Sequence, residues 1–274
     1  MDSQNTRRTI VITGANKGLG YAIVEKLLTR PGAYDIILTS RDISLGEKAI
    51  KALQTAHPSS PSKLFYHQLD VNNEKSIDSF VDWLKTNKGK VDILINNAGV
   101  MYRTATDEEK KFTIQTNYFS VVTLTEKILP LLAADGKVLM MSSLVGQLAS
   151  QSSTLRKALE DPNLDLQKLN DIAHNFINLT QDFQSNAFMP EASYPGSKAL
   201  LNIYVRNVLT SQLKSTQQVY CISPGWCRTD MGTDQAWLSP EEGADTPVYL
   251  VELPFVRNDE INGKLVSERK VEAY

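Results

Sequence analysis

The chain has 274 residues, and its 29 Lys and Arg against 31 Asp and Glu leave a formal net charge of −2. That balance lacks the basic excess a general nucleic-acid binder needs to neutralise phosphates. With 42% hydrophobic and 22% charged residues, the composition is also too apolar for disorder. No apolar run is long enough for a membrane-spanning helix, and the polar stretch Met1–Thr9 leaves no room for a signal peptide before the first strand. Two cysteines (Cys221, Cys227) and three histidines (His57, His67, His174), in no metal-ligand spacing, predict a reducing compartment, no disulfide framework and no metal site. The expectation is a cytoplasmic protein.

In chain order, Thr9–Thr13, Asp35–Ser40, Leu64–Asp70, Val91–Asn96 and Lys137–Ser142 read as strands rich in Val, Ile and Leu. Between them, Gly20–Thr29, Leu45–Ala56, Lys75–Lys88 and Phe112–Leu132 carry apolar residues at helical spacing. Strands apolar on both faces and separated by helices predict βαβ units around a buried parallel sheet, wound in the doubly wound manner of a Rossmann fold. The rhythm breaks after Ser143. Residues 144–192 are polar and lack a strand, but they hold a helical stripe of Leu169, Ile172, Phe176, Leu179 and Phe183. Such a stripe most often packs onto its own domain; a lid or a partner-binding face is the other option. The alternation resumes with a helix over Tyr194–Lys214, a strand at Gln218–Ile222 and shorter elements beyond. We read residues 1–274 as one nucleotide-binding domain with a helical insertion at 144–192, because roughly 50 mostly polar residues hardly supply a second core.

The first strand runs straight into Thr13-Gly14-Ala15-Asn16-Lys17-Gly18-Leu19-Gly20 and then a helix. Glycines there permit the tight bend and let a pyrophosphate approach the backbone, while the helix N-terminus offers unpaired N–H groups. A glycine pattern alone also fits a turn built only for packing. The strand before it and the helix after it favour a dinucleotide. About twenty residues on, where NAD sites place an acid for the ribose 2′-OH, this chain has Ser40-Arg41. A guanidinium there can bind a 2′-phosphate through two charge-assisted bonds, and Lys17 in the turn can approach the same group. NADPH is therefore the expected cofactor.

Tyr194-Pro195-Gly196-Ser197-Lys198 puts a phenol and an ammonium four residues apart, on one face of a helix. A fixed cation beside a tyrosine stabilises the phenolate and is expected to move its pKa down from about 10 towards neutrality. Ser143, at the carboxyl end of the fifth strand, lies where ligands bind in such sheets. Pro195 places Tyr194 near the start of its helix.

These pieces together resemble the short-chain dehydrogenase/reductase family. The matching residues are Thr13-Gly14, Gly18 and Gly20, Asp70-Val71, Asn96-Asn97-Ala98-Gly99, Asn117, Ser143, Tyr194 with Lys198, and Pro224-Gly225, in family order along nearly the whole chain. The segments Pro224-Gly225-Trp226-Cys227-Arg228-Thr229-Asp230-Met231 and Ser239-Pro240-Glu241-Glu242-Gly243 are similar to the monomeric carbonyl reductase subgroup. The resemblance implies that Tyr194 is the general acid and that Lys198 tunes it and holds the nicotinamide ribose. It implies that Ser143 polarises the substrate carbonyl and that Asn117 positions a relay water. It further implies a cofactor cleft lined by Gly14, Asn16, Lys17, Gly18, Leu19, Gly20, Arg41, Asp70, Val71, Asn97, Ala98, Gly99, Pro224, Gly225 and Thr229. Met140 departs from the pattern, standing where the family usually has Asn, and Ser142 offers a second hydroxyl beside Ser143.

Trp226 and Met231, with Leu144 and Phe188 or Met189, are the candidate substrate contacts, giving an apolar, partly aromatic cleft suited to ketones, aldehydes or quinones. Trp226 and Met231 equally fit an ordinary core. The insertion before Tyr194 implies a monomer, since in the subgroup a comparable segment covers the surface other members use to oligomerise. The expected activity is NADPH-dependent carbonyl reduction. An oxidative alcohol or hydroxysteroid dehydrogenase and a nucleotide sensor without chemistry are the competing readings.

Overall fold

The computed structural model describes residues 7–177 and 192–274. Eight strands form one sheet: β1 (Arg8–Ile12), β2 (Tyr34–Ser40), β3 (Lys63–Gln68), β4 (Val91–Asn96), β5 (Leu132–Met141), β6 (Gln218–Ser223), β7 (Leu265–Ser267) and β8 (Lys270–Glu272). Their order is β3-β2-β1-β4-β5-β6-β7-β8, with every neighbouring pair parallel except the last. The doubly wound parallel sheet is therefore as expected, and a short antiparallel hairpin is added at its far edge. That hairpin turns through Glu268 and Arg269, both at positive φ.

The sheet is covered on both faces because alternate residues of each strand point to opposite sides. Ile10 and Ile12 join Ile36, Leu38, Ile93 and Ile95 in one core, under α1 (Gly18–Leu28), α2 (Ile43–Ala56) and the later helices α10 (Pro240–Gly243) and α11 (Asp245–Glu252). Val11, Ile37, Leu94, Val138 and Met140 face the other core, under α3 (Glu74–Asn87), α4 (Asp107–Ile114), α5 (Ser120–Ile128), α6 (Ser153–Leu159), α7 (Leu166–Ile177) and α8 (Ser193–Ile203). Side-chain caps fix the helix starts: Asp42 accepts from Leu45 N, Asn73 from Ser76 N, and Thr106 with Glu109 forms a capping box.

The single helix expected over Phe112–Leu132 is four pieces. α4 passes into a π-helical turn at Gln115–Phe119, then α5, then a 3-10 turn at Leu129–Leu131 that contains Pro130. The helix expected over Tyr194–Lys214 likewise becomes α8, a π-helical segment Tyr204–Leu209 and a last turn, α9 (Thr210–Gln212). Within 144–192, the described helices α6 and α7 lie on the molecule's own core. Leu155, Leu159, Leu164, Leu169, Ala173 and Phe176 are buried there, and Ile172 packs at the margin. Leu179 and Phe183 of the predicted stripe, like Phe188 and Met189, lie outside the described residues.

Candidate active site

The chain runs outward from β1 through β2 to β3, then crosses back to β4 on the other side of β1. A crevice must therefore open beyond the carboxyl ends of β1 and β4, where successive connections diverge. The glycine turn follows β1 at this point. Gly14 and Gly18 take φ of +60° and +56°, which favours glycine in both places. A side chain on Gly14 would also meet Ala98 Cα at 3.1 Å. Asn97 pins the turn from β4: its Nδ2 donates to the carbonyls of Thr13 (2.8 Å) and Gly14 (3.1 Å). Thr13 Oγ1 in turn accepts from the backbone N–H of Asn97 and Ala98, both at 2.9 Å. The bonding by Thr13 was not foreseen, although Thr13 opens the motif. Leu19 anchors the start of α1 against the core, Gly20 is buried, and Asn16 is half-buried.

At the end of β2, Ser40 Oγ donates to Asp42 O, and the Asp42 carboxylate is engaged as the cap of α2. The nearest acid is thus occupied by helix N–H groups. Arg41 is exposed, and its guanidinium pairs with no described residue. Asp70 accepts from Asn72 N at 3.0 Å in a tight turn, and α3 is capped by Asn73 instead, so the helix-cap alternative for Asp70 does not apply. Val71 packs at the margin of the core. Lys17 projects away from the turn to Asp230 at 2.5 Å, with both side chains largely exposed. Gly18 faces the methyl of Thr229, 3.4 Å from where a Cβ would stand. Gly225 has φ of +80° in the turn after β6, and Pro224 O accepts from Cys227 Sγ.

The hydroxyl and amine groups gather at the ends of β5 and α8. Ser193 begins α8, so Tyr194 lies in its first turn and Lys198 one turn on, as Pro195 suggested. The Ser143 hydroxyl stands close enough to the Tyr194 phenol to favour its ionised form. Ser142 points elsewhere: its Oγ donates to Asn202 Oδ1 at 2.6 Å inside the protein. Lys198 Nζ donates to Met141 O at 2.7 Å and stands 5.5 Å from the centroid of the Tyr194 ring. The π-turn buries Asn117, whose Nδ2 donates to Val100 O (2.8 Å) and Ser197 Oγ (3.1 Å) while its Oδ1 accepts from Val100 N. Asn117 Oδ1 and Lys198 Nζ face a common point, 3.1 and 3.8 Å from where a Gly99 side chain would stand. Only glycine leaves that point open.

The electrostatics differ from the expectation. Burial pushes the Tyr194 phenol up to about 12, a rise the neighbouring Ser143 hydroxyl only partly offsets. Burial also pulls the Lys198 ammonium down to about 8. The expected lowering of Tyr194 by its neighbour fails because the ammonium faces the ring and a backbone carbonyl, while the phenol oxygen is desolvated. The Met140 substitution is felt one strand away. Asn96 Nδ2 donates to Thr125 Oγ1 (3.0 Å) and to the Met140 sulfur (3.2 Å), and Asn96 Oδ1 has no partner among the described residues.

Of the substrate candidates, Trp226 is half-buried, donates from Nε1 to Gly232 O at 2.7 Å and meets Trp237 edge-on with ring centroids 5.0 Å apart. Met231 is half-buried in the same loop, and Leu144 packs at the core margin. Among the described residues, no group of three or more His, Cys, Asp or Glu is placed to hold a metal, and no helix is long and apolar enough to cross a membrane.

The short chain dehydrogenase family profile matches residues 8–155. Carbonyl reductase (NADPH) 3 of Rattus norvegicus is 34% identical, over 97% of this chain and 98% of its own. Among solved structures, salutaridine reductase from Papaver somniferum superimposes with a TM-score of 0.82 at 28% identity, covering 94% of this chain and 99% of its own. Menthone neomenthol reductase from Mentha piperita gives 0.80 at 25% identity, covering 97% of this chain and all of its own.

Proposed function

The chain belongs to the short-chain dehydrogenase family, and on that premise we propose that it reduces ketone, aldehyde or quinone carbonyls with NADPH, using Tyr194 as the general acid. The observation that carries the assignment is the convergence of Ser143, Tyr194, Lys198 and Asn117 at the mouth of the crevice next to the glycine turn. The residues fit the cofactor: the turn is built on Gly14 and Gly18, where a side chain would strain the backbone, and Gly99 after β4 leaves open the point that Asn117 and Lys198 face. We assign the pyrophosphate to the Gly14–Gly20 turn, the 2′-phosphate to Arg41 and Lys17, and the adenine to Asp70 and Val71. Asn97, Ala98, Gly99, Pro224, Gly225, Thr229 and Lys198 take the remainder.

When bound, NADPH supplies a hydride to the carbonyl carbon. The protein supplies the proton and the field. Ser143 orients the carbonyl oxygen and shares the charge that builds on it. Tyr194, held protonated by its raised pKa, gives its proton to that oxygen, so the carbonyl becomes an alcohol and the tyrosine a phenolate. A proton returns to the phenolate through the Lys198 ammonium, from a water held at the point that Lys198 Nζ and Asn117 Oδ1 both face beside Gly99. Trp226 and Met231 line the substrate side. The chain acts as a monomer in the cytoplasm on this reading, supported by the packing of α7 against its own α4 and α8 and by the absence of disulfides: both cysteines are free.

Tyr194→Phe tests the assignment. Loss of the acid is expected to lower kcat about 100-fold or more while NADPH still binds as in the parent. Turnover at the parent rate would exclude Tyr194 as the acid.

A further inference from the structure

The loop from Trp226 to Leu238 is closed on itself. Arg228 N donates to Leu238 O (2.8 Å) and Leu238 N to Trp226 O (3.1 Å), while the Arg228 guanidinium spans the loop to the carbonyls of Ala236 and Trp237. Trp226 Nε1 and Gly232 N bond inside it. Two side chains from outside reach in: Arg103, donating to Gly232 O (3.3 Å) and Thr233 Oγ1, and Lys17, paired with Asp230. Lys17 is the residue just before α1, in the glycine turn, and Asp230 follows the Thr229 that faces Gly18. The ion pair therefore bridges the two walls of the nucleotide crevice at its rim.

We propose that Asp230 is a cofactor-specificity residue, a resident counter-ion that neutralises Lys17 and thereby sets how strongly the crevice prefers a phosphate-bearing dinucleotide. The proposal rests on the reading of Lys17 as facing the 2′-phosphate. A carboxylate within bonding distance of that ammonium must either give it up to an arriving phosphate or share it, and in both cases two anions compete for one cation. The pair is two-thirds or more exposed on both sides, so exchange is easy and the effect modest. An exposed ion pair shifts an equilibrium by no more than about fivefold. Lys17 lowers the pKa of Asp230 below the usual carboxylate range, so the competing carboxylate is charged at neutral pH with or without the pair. Arg41 carries no such counter-ion among the described residues and supplies the part of the phosphate attraction that Asp230 leaves untouched.

The test is direct binding of NADPH and NADH, by calorimetry, to the parent, Asp230→Asn, Lys17→Met and the double variant. Asp230→Asn is expected to tighten NADPH about two- to fivefold, with NADH unchanged, and the gain should shrink as ionic strength rises. In the Lys17→Met background the same substitution should have no effect. Unchanged or weaker NADPH binding in Asp230→Asn would overturn the proposal, as would an equal change for both cofactors, which is what a mere loop anchor gives. Lys17→Met separates the two readings. If it leaves the preference for NADPH over NADH intact, the assignment of Lys17 to the phosphate fails. If it lowers that preference while Asp230→Asn does nothing, only the counter-ion falls.

Discussion

The Tyr194 and Lys198 pair divides its labour by environment. Both are desolvated, and burial drives their pKa values in opposite directions because it penalises phenolate and ammonium alike: the phenol rises to about 12 and the ammonium falls to about 8. Tyr194 is thus a proton donor throughout the neutral range, and the group that titrates near working pH is Lys198. The sign follows. Below pH 8 the ammonium carries the proton that restores the phenolate left by proton transfer; above it, the neutral amine has none to give. We expect kcat/KM for NADPH in carbonyl reduction, which reports the free enzyme, to be level below pH 8 and to fall by about tenfold per unit above it. A profile flat to pH 10 would show that Lys198 is not the titrating group. The spacing of Tyr194 and Lys198 was readable in the sequence, since both sit in one helical turn. The direction of the tyrosine's shift was not, because it depends on where the ammonium points and on Met141 O, 57 positions away.

At the scale of elements, contiguous motifs were legible and long-range bonds were not. The glycine turn, its flanking strand and helix, and the Ser143 strand end each follow from a local pattern of apolar periodicity broken by glycine or a hydroxyl. The π-turn at Gln115–Phe119 was hidden because the apolar spacing of Phe112–Leu132 reads through it; yet this turn carries the buried Asn117. Lys137 was read only as the start of a strand, although it is fully buried. Its Nζ donates to the carbonyls of Leu250 (3.0 Å), Val251 (3.1 Å) and Leu253 (2.6 Å) at the end of α11 and lies 4.1 Å from the centre of the Phe255 ring. A helix end buried without partners is costly, and here one ammonium satisfies three carbonyls. Burial lowers the Lys137 pKa, so the bonds have to offset the desolvation of a cation. Lys137→Met, which matches its length but donates nothing, is expected to destabilise the fold by about 2–4 kcal/mol in urea unfolding. A loss of less than about 0.5 kcal/mol would mean that the carbonyls find other partners.

On the scale of the molecule, the segment after Ser143 decides what the surface can do. α7 lies against α4 and α8, and Tyr118 and Phe119 of the π-turn reach it directly. The Tyr118 hydroxyl donates to Asn170 Oδ1 at 3.1 Å, and the Phe119 ring lies 4.7 Å from that of His174. Leu155, Leu159, Leu164, Leu169 and Phe176 are buried in the same core. At about 1.5–3 kcal/mol for each such side chain, their gross burial is on the order of 10 kcal/mol, comparable with the whole net stability of a domain. The described helices α6 and α7, which hold that apolar area, are part of the fold. The sequence showed the stripe but not the face it would cover, since Leu169 and Phe176 look the same whether they meet their own α4 or a second copy. α7 turns its apolar side onto its own α4 and α8, so that stripe is not free to seat a partner. Sedimentation equilibrium at micromolar concentration should therefore return a single species of 30.5 kDa, unchanged by dilution. A mass rising towards a dimer or tetramer with concentration would place the subunit contact on another surface and remove the link between this helix and the monomeric state.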